Sequence, residues 1–188
     1  MNAVDFKENH LDEIVPRWFA VYTRYKREKV VLKRLQEKGI QAYLPVQRLT
    51  RRYDRKVRDV ELPLISCYIF TRITRKNYVP VLDTPDVLHF VQFSNNLIAI
   101  PEREILLLQR VTGGQAELEI EQPPTALLGT LTTGDEVEIV GGRLTGVRGI
   151  LLEKNGKANF LIELRNIGFS LHLQVEPSLL RRVGVRNR

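Results

Sequence analysis

The stretch Leu62-Pro63-Leu64-Ile65-Ser66-Cys67-Tyr68-Ile69-Phe70, "LPLISCYIF", is the longest mostly apolar run in the first half of the chain. A strand with one wet face alternates apolar and polar residues. Here both parities are apolar: Leu62, Leu64, Tyr68 and Phe70 on one, Pro63, Ile65, Cys67 and Ile69 on the other. Read as one strand, it is either central and buried on both faces, or one of its faces waits for a partner.

The flanking segments set that strand in a fold. Residues 1–16 are polar and acidic and read as a frayed tail. "RWFAVYT" (Arg17 to Thr23) reads as a short buried strand, and "RYKREKVVLKRLQEKG" as a helix with Thr23 as its N-cap and Gly39 just past its end. "IQAYLPV" gives a second strand that stops near Pro45. "RLTRRYDRKVRDVEL" reads as a basic hairpin or loop leading into the opening stretch. A short helix around Lys76–Leu82, a strand "LHFVQF" (Leu88 to Phe93) and a helix "PEREILLLQRV" starting at Pro101 follow. This order predicts an α+β N-terminal domain over residues 17–112, an antiparallel sheet flanked by helices.

"GGQAELEIEQPPTALLG" (Gly113 to Gly129) carries Gly-Gly, Pro-Pro and only acidic charge, and reads as a flexible linker. Beyond it the chain reads as all β. "EVEIV", "VRGILLEK", "ANFLIELR" and "FSLHLQV" are short strands, and Asn155-Gly156 between two of them is a strong hairpin signal. With "SLLRRV" closing the sheet, residues 130–184 predict a small β-barrel, since closure removes exposed edges. Residues 185–188 form a short tail.

Composition excludes several function classes. No 18-residue apolar run and no basic-then-apolar leader are present, so neither a membrane span nor a signal peptide is expected. The one cysteine, Cys67, and three scattered histidines supply no disulfide and no multi-cysteine metal site. No metal or other cofactor is expected, and a reducing, cytoplasmic setting is the default. The net charge of +7 is unevenly spread. Arg17 to Val60 holds 14 Lys/Arg against Glu28, Glu37, Asp54 and Asp59, whereas residues 61–112 sum to zero. Within the basic segment Arg48–Arg58, Tyr53 sits among Arg48, Arg51, Arg52, Arg55, Lys56 and Arg58. Such concentration suggests a polyanion footprint.

Two independent motifs carry a family resemblance. "GDEVEIVGGRLTGVRGILLE" (Gly134 to Glu153) resembles a KOW motif, the first hairpin of an SH3-like barrel, with Gly142 and Gly149 as its structural glycines. "WFAVYT…E…L…GI…YLP", ending in "LPLISCYIF", resembles the NGN domain, the N-terminal domain of the NusG family of transcription elongation factors. Among its members the sequence is more similar to the specialised RfaH and UpxY-type antiterminators than to the housekeeping factor. The resemblance spans Arg17 to Val183. Where the family usually has Phe-Pro-Gly/Asn before the tyrosine, this chain has Ile65-Ser66-Cys67.

The resemblance implies a non-enzymatic, monomeric factor that promotes processive elongation, of specific operons in the specialised branch. It implies that Tyr22, Tyr68 and Phe70 bind the clamp helices of the β′ subunit of RNA polymerase, with Ile65, Cys67 and Ile69 under the helices of the domain. Arg24, Lys26 and Arg27, with Arg75, Lys76 and Asn77, match positions that touch non-template DNA of the transcription bubble, and Tyr78 could stack on an unpaired base. In the KOW domain, Ile167 and Phe169 match the loop that contacts a small-subunit ribosomal protein or the termination factor Rho. RfaH can refold this domain as a helical hairpin, but the turn signals here favour β. A KOW-type ribosome-associated RNA-binding protein is the alternative. A nucleic-acid enzyme lacks support, since no paired carboxylates, triad or P-loop is evident.

Overall fold

The computed structural model describes residues 8–53, 56–92, 94–112, 131–155, 157–164 and 169–183. The chain divides into two compact units, Met1–Thr112 and Gly113–Arg188.

The first unit is built on a four-stranded antiparallel sheet. Its strands are β1 (Arg17–Thr23), β2 (Gln41–Tyr43), β5 (Tyr68–Ile73) and β6 (Val87–Phe90), in the order β2-β5-β1-β6. The register pairs Ala20 with Phe70, Val21 with Ile69 and Tyr22 with Tyr68. Because strand side chains alternate, Phe19, Val21, Ile69, Ile73 and Phe90 share one face, and Trp18, Ala20, Tyr22, Tyr68 and Phe70 the other. The first face meets α1 (Glu28–Glu37) through Val31 and Leu35, and α2 (Tyr78–Leu82) through Val81. Phe19, Val21, Val31, Leu35, Ile69 and Val81 have no exposed surface. Each such side chain contributes roughly 1.5–3 kcal/mol by leaving water, so this layer dominates the stability of the unit.

A third helix, α3 (Glu102–Thr112), lies over part of the second face. The Trp18 indole N–H donates to Glu102 Oε2 at 2.9 Å near its start. The Tyr43 hydroxyl is 2.8 Å from Thr112 Oγ1 at its end. Between these ties, Ile105 and Leu108 are fully buried.

Several expectations need correction. "LPLISCYIF" is not one strand. β4 (Lys56–Pro63) ends at Pro63, and β5 starts at Tyr68 after a turn in which Cys67 has a φ of +66°. The parity of the segment is therefore reset between its halves. The first helix begins at Glu28, and Thr23 is a buried strand residue instead of a cap. A left-handed Lys26 (φ +61°) separates the two elements. Gly39, at φ +70°, does occupy the position past the helix end, where the Ile40 N–H donates to the Leu35 carbonyl. Residues 8–15 are docked, not frayed. Leu11 joins the core, His10 N–H bonds the Leu97 carbonyl, and the Arg75 N–H bonds the Asp12 carbonyl.

The basic segment forms a hairpin of its own. β3 (Val46–Tyr53) pairs with β4 from Val46↔Pro63 to Tyr53↔Lys56 as a separate two-stranded ribbon.

The second unit is a five-stranded antiparallel sheet. β7 (Glu136–Ile139), β8 (Arg148–Asn155), β9 (Lys157–Leu164), β10 (Phe169–Val175) and β11 (Leu180–Arg182) take the order β10-β9-β8-β7-β11. Val137, Ile139, Leu151, Val175 and Leu179 form its buried side. Closure was expected, yet among the described residues β10 and β11 remain the two edges. β11 has three residues, all spent on pairing with β7. Gly142 has a φ of +71°, as a sharp turn requires, and Gly149 pairs with Val137. Gly141 has a job the sequence did not disclose: a Cβ there would stand 2.9 Å from Leu179 Cδ2. The linker expected over 113–129, Gly156, Ile167 and the tail over 185–188 lie outside the described residues.

Candidate functional site

The part of the second sheet face that α3 leaves open carries an aromatic cluster. Tyr22 and Tyr68, cross-strand partners, meet edge to face at 5.4 Å between ring centroids. On the other side of Tyr22, His89 of β6 stacks on it at 5.3 Å and 15°. Both tyrosines are half-buried and His89 is exposed. Aromatic pairs of this geometry hold their shape without a partner and present large contact area at little entropic cost. The open face thus presents half-exposed, amphipathic aromatic side chains, a residue type enriched at interfaces.

Two shifts report the local environment. The Tyr22 hydroxyl is pushed above its ordinary 10.0, first by its hydrogen bond with the Cys67 side chain, then by charge repulsion from Cys67 and by burial. The Tyr68 hydroxyl is also raised, chiefly by burial. Both are neutral hydroxyls at physiological pH, able to donate a hydrogen bond as well as to pack.

Phe70 stands apart from the two tyrosines with which the sequence groups it. It shares their face but has no exposed surface, and it stacks with Tyr43 at 6.4 Å. The cover is α3, tied down at Trp18 and Tyr43 on either side of it. In this structure Phe70 is the floor behind the tyrosines. His89 is the residue that sequence reading missed, and its signal was the pairing of "LHFVQF" with "RWFAVYT", which sets His89 opposite Tyr22.

The cations expected to meet DNA fall into two groups. Arg24, Lys26 and Arg27 are exposed in the turn directly after β1, next to Tyr22. The Lys26 ammonium lies 5.1 Å from the Tyr25 ring centroid, and Tyr25 is 67% exposed. Arg27 approaches Asp86 at 3.9 Å. Arg75, Lys76 and Asn77 form a short 3-10 turn directly after β5. Since Tyr22 pairs with Tyr68 and Arg17 with Ile73, the ends of β1 and β5 point opposite ways. Five residues of strand separate them, about 17 Å. The two groups do not make one patch. Arg75 is also engaged by Glu13 at 2.8 Å, and Asn77 is half-buried with the Thr74 hydroxyl at 3.3 Å. Tyr78, whose hydroxyl burial raises above 10.0, stacks on core residue Phe90 at 4.7 Å. That makes it a packing residue more than a base-stacking platform.

In the second unit, Phe169 opens β10 and pairs with Leu164. Among the described residues, no cluster of His, Cys, Asp and Glu is placed to hold a metal ion. No described helix is long and apolar enough to cross a membrane.

The fold meets a known pattern. The NusG family, described as transcription termination factor nusG, matches residues 16–109, half of the chain. The chain belongs to the NusG family. Thermotoga maritima NusG, solved in a structure of its domain interaction, shares the fold with a TM-score of 0.60 at 19% identity, covering 90% of this chain and 98% of that one. The MjSpt4:Spt5 complex in conformation B aligns at 17% identity over 91% of this chain and 99% of that chain, with a TM-score of 0.28. Conformation A gives 18% identity, 89% and 98%, and 0.28. No curated protein sequence matches the chain significantly. The family match covers β1 through most of α3, and so includes Tyr22, Tyr68 and His89.

Proposed function

We propose that this NusG-family protein is a transcription elongation and antitermination factor that docks on RNA polymerase through the open aromatic face of its first unit. Tyr22 and Tyr68 make the contact with the β′ clamp helices, His89 extends it, and Phe70 supports it from below. The observation that carries this reading is the incomplete cover of the second sheet face. α3 ends its reach at Trp18, Phe70 and Tyr43, and the next aromatic pair along the same strands is left half-exposed. A helix pair is a fitting occupant, because α3 already packs the neighbouring part of that face and a partner helix would continue the layer.

Arg24, Lys26 and Arg27 border the aromatic face and are the cations of choice for the non-template strand, since polymerase docking would bring that strand to the same end of the sheet. Arg75, Lys76 and Asn77, beyond the opposite end, would make a separate contact. The NGN unit spans 17–112 and the linker 113–129. Residues 130–184 serve as a KOW module that recruits a small-subunit ribosomal protein or Rho through Ile167 and Phe169. The "RfaH-like" and "UpxY-like" features of the sequence favour a factor restricted to specific operons.

A single-round transcription assay with purified polymerase tests this function. The protein should shorten pause lifetimes and raise the fraction of full-length transcript. An unchanged pause pattern at saturating protein would refute it.

A further inference from the structure

Tyr25 is an aromatic residue that the fold leaves in water. It is 67% exposed, whereas Tyr22, Tyr43, Tyr68 and Tyr78 are half-buried and each packs against another ring. A ring in solvent gains no burial energy. The turn that carries it is nonetheless built to a fixed shape. The Arg24 N–H donates to the Asp86 carbonyl at 2.9 Å, and the Arg27 N–H closes the turn onto the Arg24 carbonyl at 3.1 Å. The Arg27 carbonyl then accepts from the Val31 N–H of α1 at 2.9 Å. Between these ties Lys26 is held left-handed at φ +61°, a conformation that a lysine keeps only where its surroundings impose it. Arg24, Tyr25 and Lys26 therefore face solvent in succession from a fixed backbone.

The nearby acids are spent elsewhere. Asp86 is engaged by Arg34 at 2.8 Å and by Arg27 at 3.9 Å. Glu28 is buried and accepts from the Cys67 N–H. Among the described residues no acid forms an ion pair with Arg24 or Lys26. The Lys26 ammonium lies over the Tyr25 ring instead, 5.1 Å from its centroid.

We propose that Tyr25 is a stacking platform for one unpaired base of single-stranded DNA, with Arg24 and Lys26 holding the flanking phosphates. The proposal rests on the reading that this end of the sheet meets the non-template strand, and it adds the group that touches a base face. Tyr78, expected from the sequence to stack on a base, stacks on Phe90. An exposed aromatic beside cations suits an unpaired strand, because every base has a π-face and a phosphate follows each one. A base inside a duplex has its faces covered by its neighbours and must first be unstacked. The cation–π pair does not bar the ring, since such a pair is weak at an exposed site.

The test measures binding of the full chain, by fluorescence anisotropy, to a labelled mixed-sequence DNA strand of about 12 nucleotides. An abasic strand of equal length, the same sequence as RNA, and the DNA duplex are run beside it. Tyr25→Ala should weaken binding to the strand about tenfold and leave the slope of log affinity against log salt unchanged. Tyr25→Phe, which keeps a ring, should bind like the parent, and Tyr25→Leu, apolar without a ring, like Tyr25→Ala. Arg24→Gln/Lys26→Gln should instead lower the slope by about 1.4, about 0.7 for each lost cation. The abasic strand should bind the parent about tenfold more weakly than the intact strand. Thermal unfolding checks that every variant is folded. No binding of the strand by the parent would overturn the proposal, as would parent-like binding by folded Tyr25→Ala or Tyr25→Leu. Equal binding of the abasic strand, or tighter binding of RNA or duplex, would do the same. Loss of core polymerase capture by Tyr25→Ala would make the ring a protein contact and would also overturn it. Capture through Tyr22 and Tyr68 is scored without DNA, so failure of polymerase docking is distinguishable from failure of base stacking.

Discussion

The backbone N–H of Cys67 donates to Glu28 Oε1 at 2.8 Å, and Glu28 is 3% exposed. The Cys67 carbonyl in turn accepts from the Thr23 N–H at 2.8 Å. One carboxylate thereby pins the turn before β5 to the start of α1, and the turn sets where Tyr68 emerges beside Tyr22. A hydrogen bond to a charged group is stronger than a neutral one, and removing the acceptor strands a buried donor. Glu28→Ala should lower unfolding stability by about 2 kcal/mol. Glu28→Gln, which keeps an oxygen in place, should cost less. Urea denaturation of the two variants side by side checks this, and equal costs would remove the hydrogen bond from the explanation.

Cys67 holds this position against its own preference. At φ +66° a side chain crowds the backbone, and only glycine, or asparagine to a lesser extent, visits this region cheaply. This backbone conformation fits the Gly/Asn that the family resemblance places at this position. Cys67→Gly should raise stability by about 0.5–1 kcal/mol, offset in part by the lost contact with Tyr22. Cys67→Ala, which keeps a Cβ, should gain nothing. The comparison of denaturation midpoints decides between strain relief and loss of the thiol.

Much of the first unit was legible in the sequence because local signals and tertiary packing agree. "RWFAVYT" is a strand buried on both faces, Gly39 ends its helix left-handed, and the basic run pairs as a hairpin. The failures share one cause. Alternation assumes an unbroken strand, and the left-handed Cys67 resets it, so the parity of Leu62 and Leu64 says nothing about Tyr68. Phe70 shares the face of the tyrosines but not their exposure. Exposure depends on how far α3 reaches, set by Trp18–Glu102 and Tyr43–Thr112 across 84 and 69 residues of sequence. Residues 8–15 misled for the same reason: their polar composition hides Leu11, the one of them that joins the core, and the long-range backbone hydrogen bonds of His10 and Asp12.

The second unit has a pH-sensitive tie. The Asp135 carboxyl is held below its ordinary 3.8, first by the Thr132 N–H and next by Arg182. Arg182 Nε donates to Asp135 Oδ2 at 3.0 Å and joins β11 to the start of β7. A depressed carboxyl contributes stability above its unfolded-state value, and that contribution is lost as pH falls through the folded one. The gap in melting temperature between the parent and Asp135→Asn should therefore be full near neutral pH and shrink below pH 3.8. A gap that persists unchanged to pH 2, well below the ordinary carboxylate range, would show that the carboxylate charge is not its source.

The central claim is that the open aromatic face is the polymerase contact, and direct capture of core RNA polymerase by immobilised protein tests it most directly. Tyr22→Ala/Tyr68→Ala should lose capture by at least tenfold, about 1.4 kcal/mol or more, as expected for interface anchors. Thermal unfolding should place the double variant within a few degrees of the parent, since both rings are half-exposed. Folded protein that captures polymerase as well as the parent does would contradict the account.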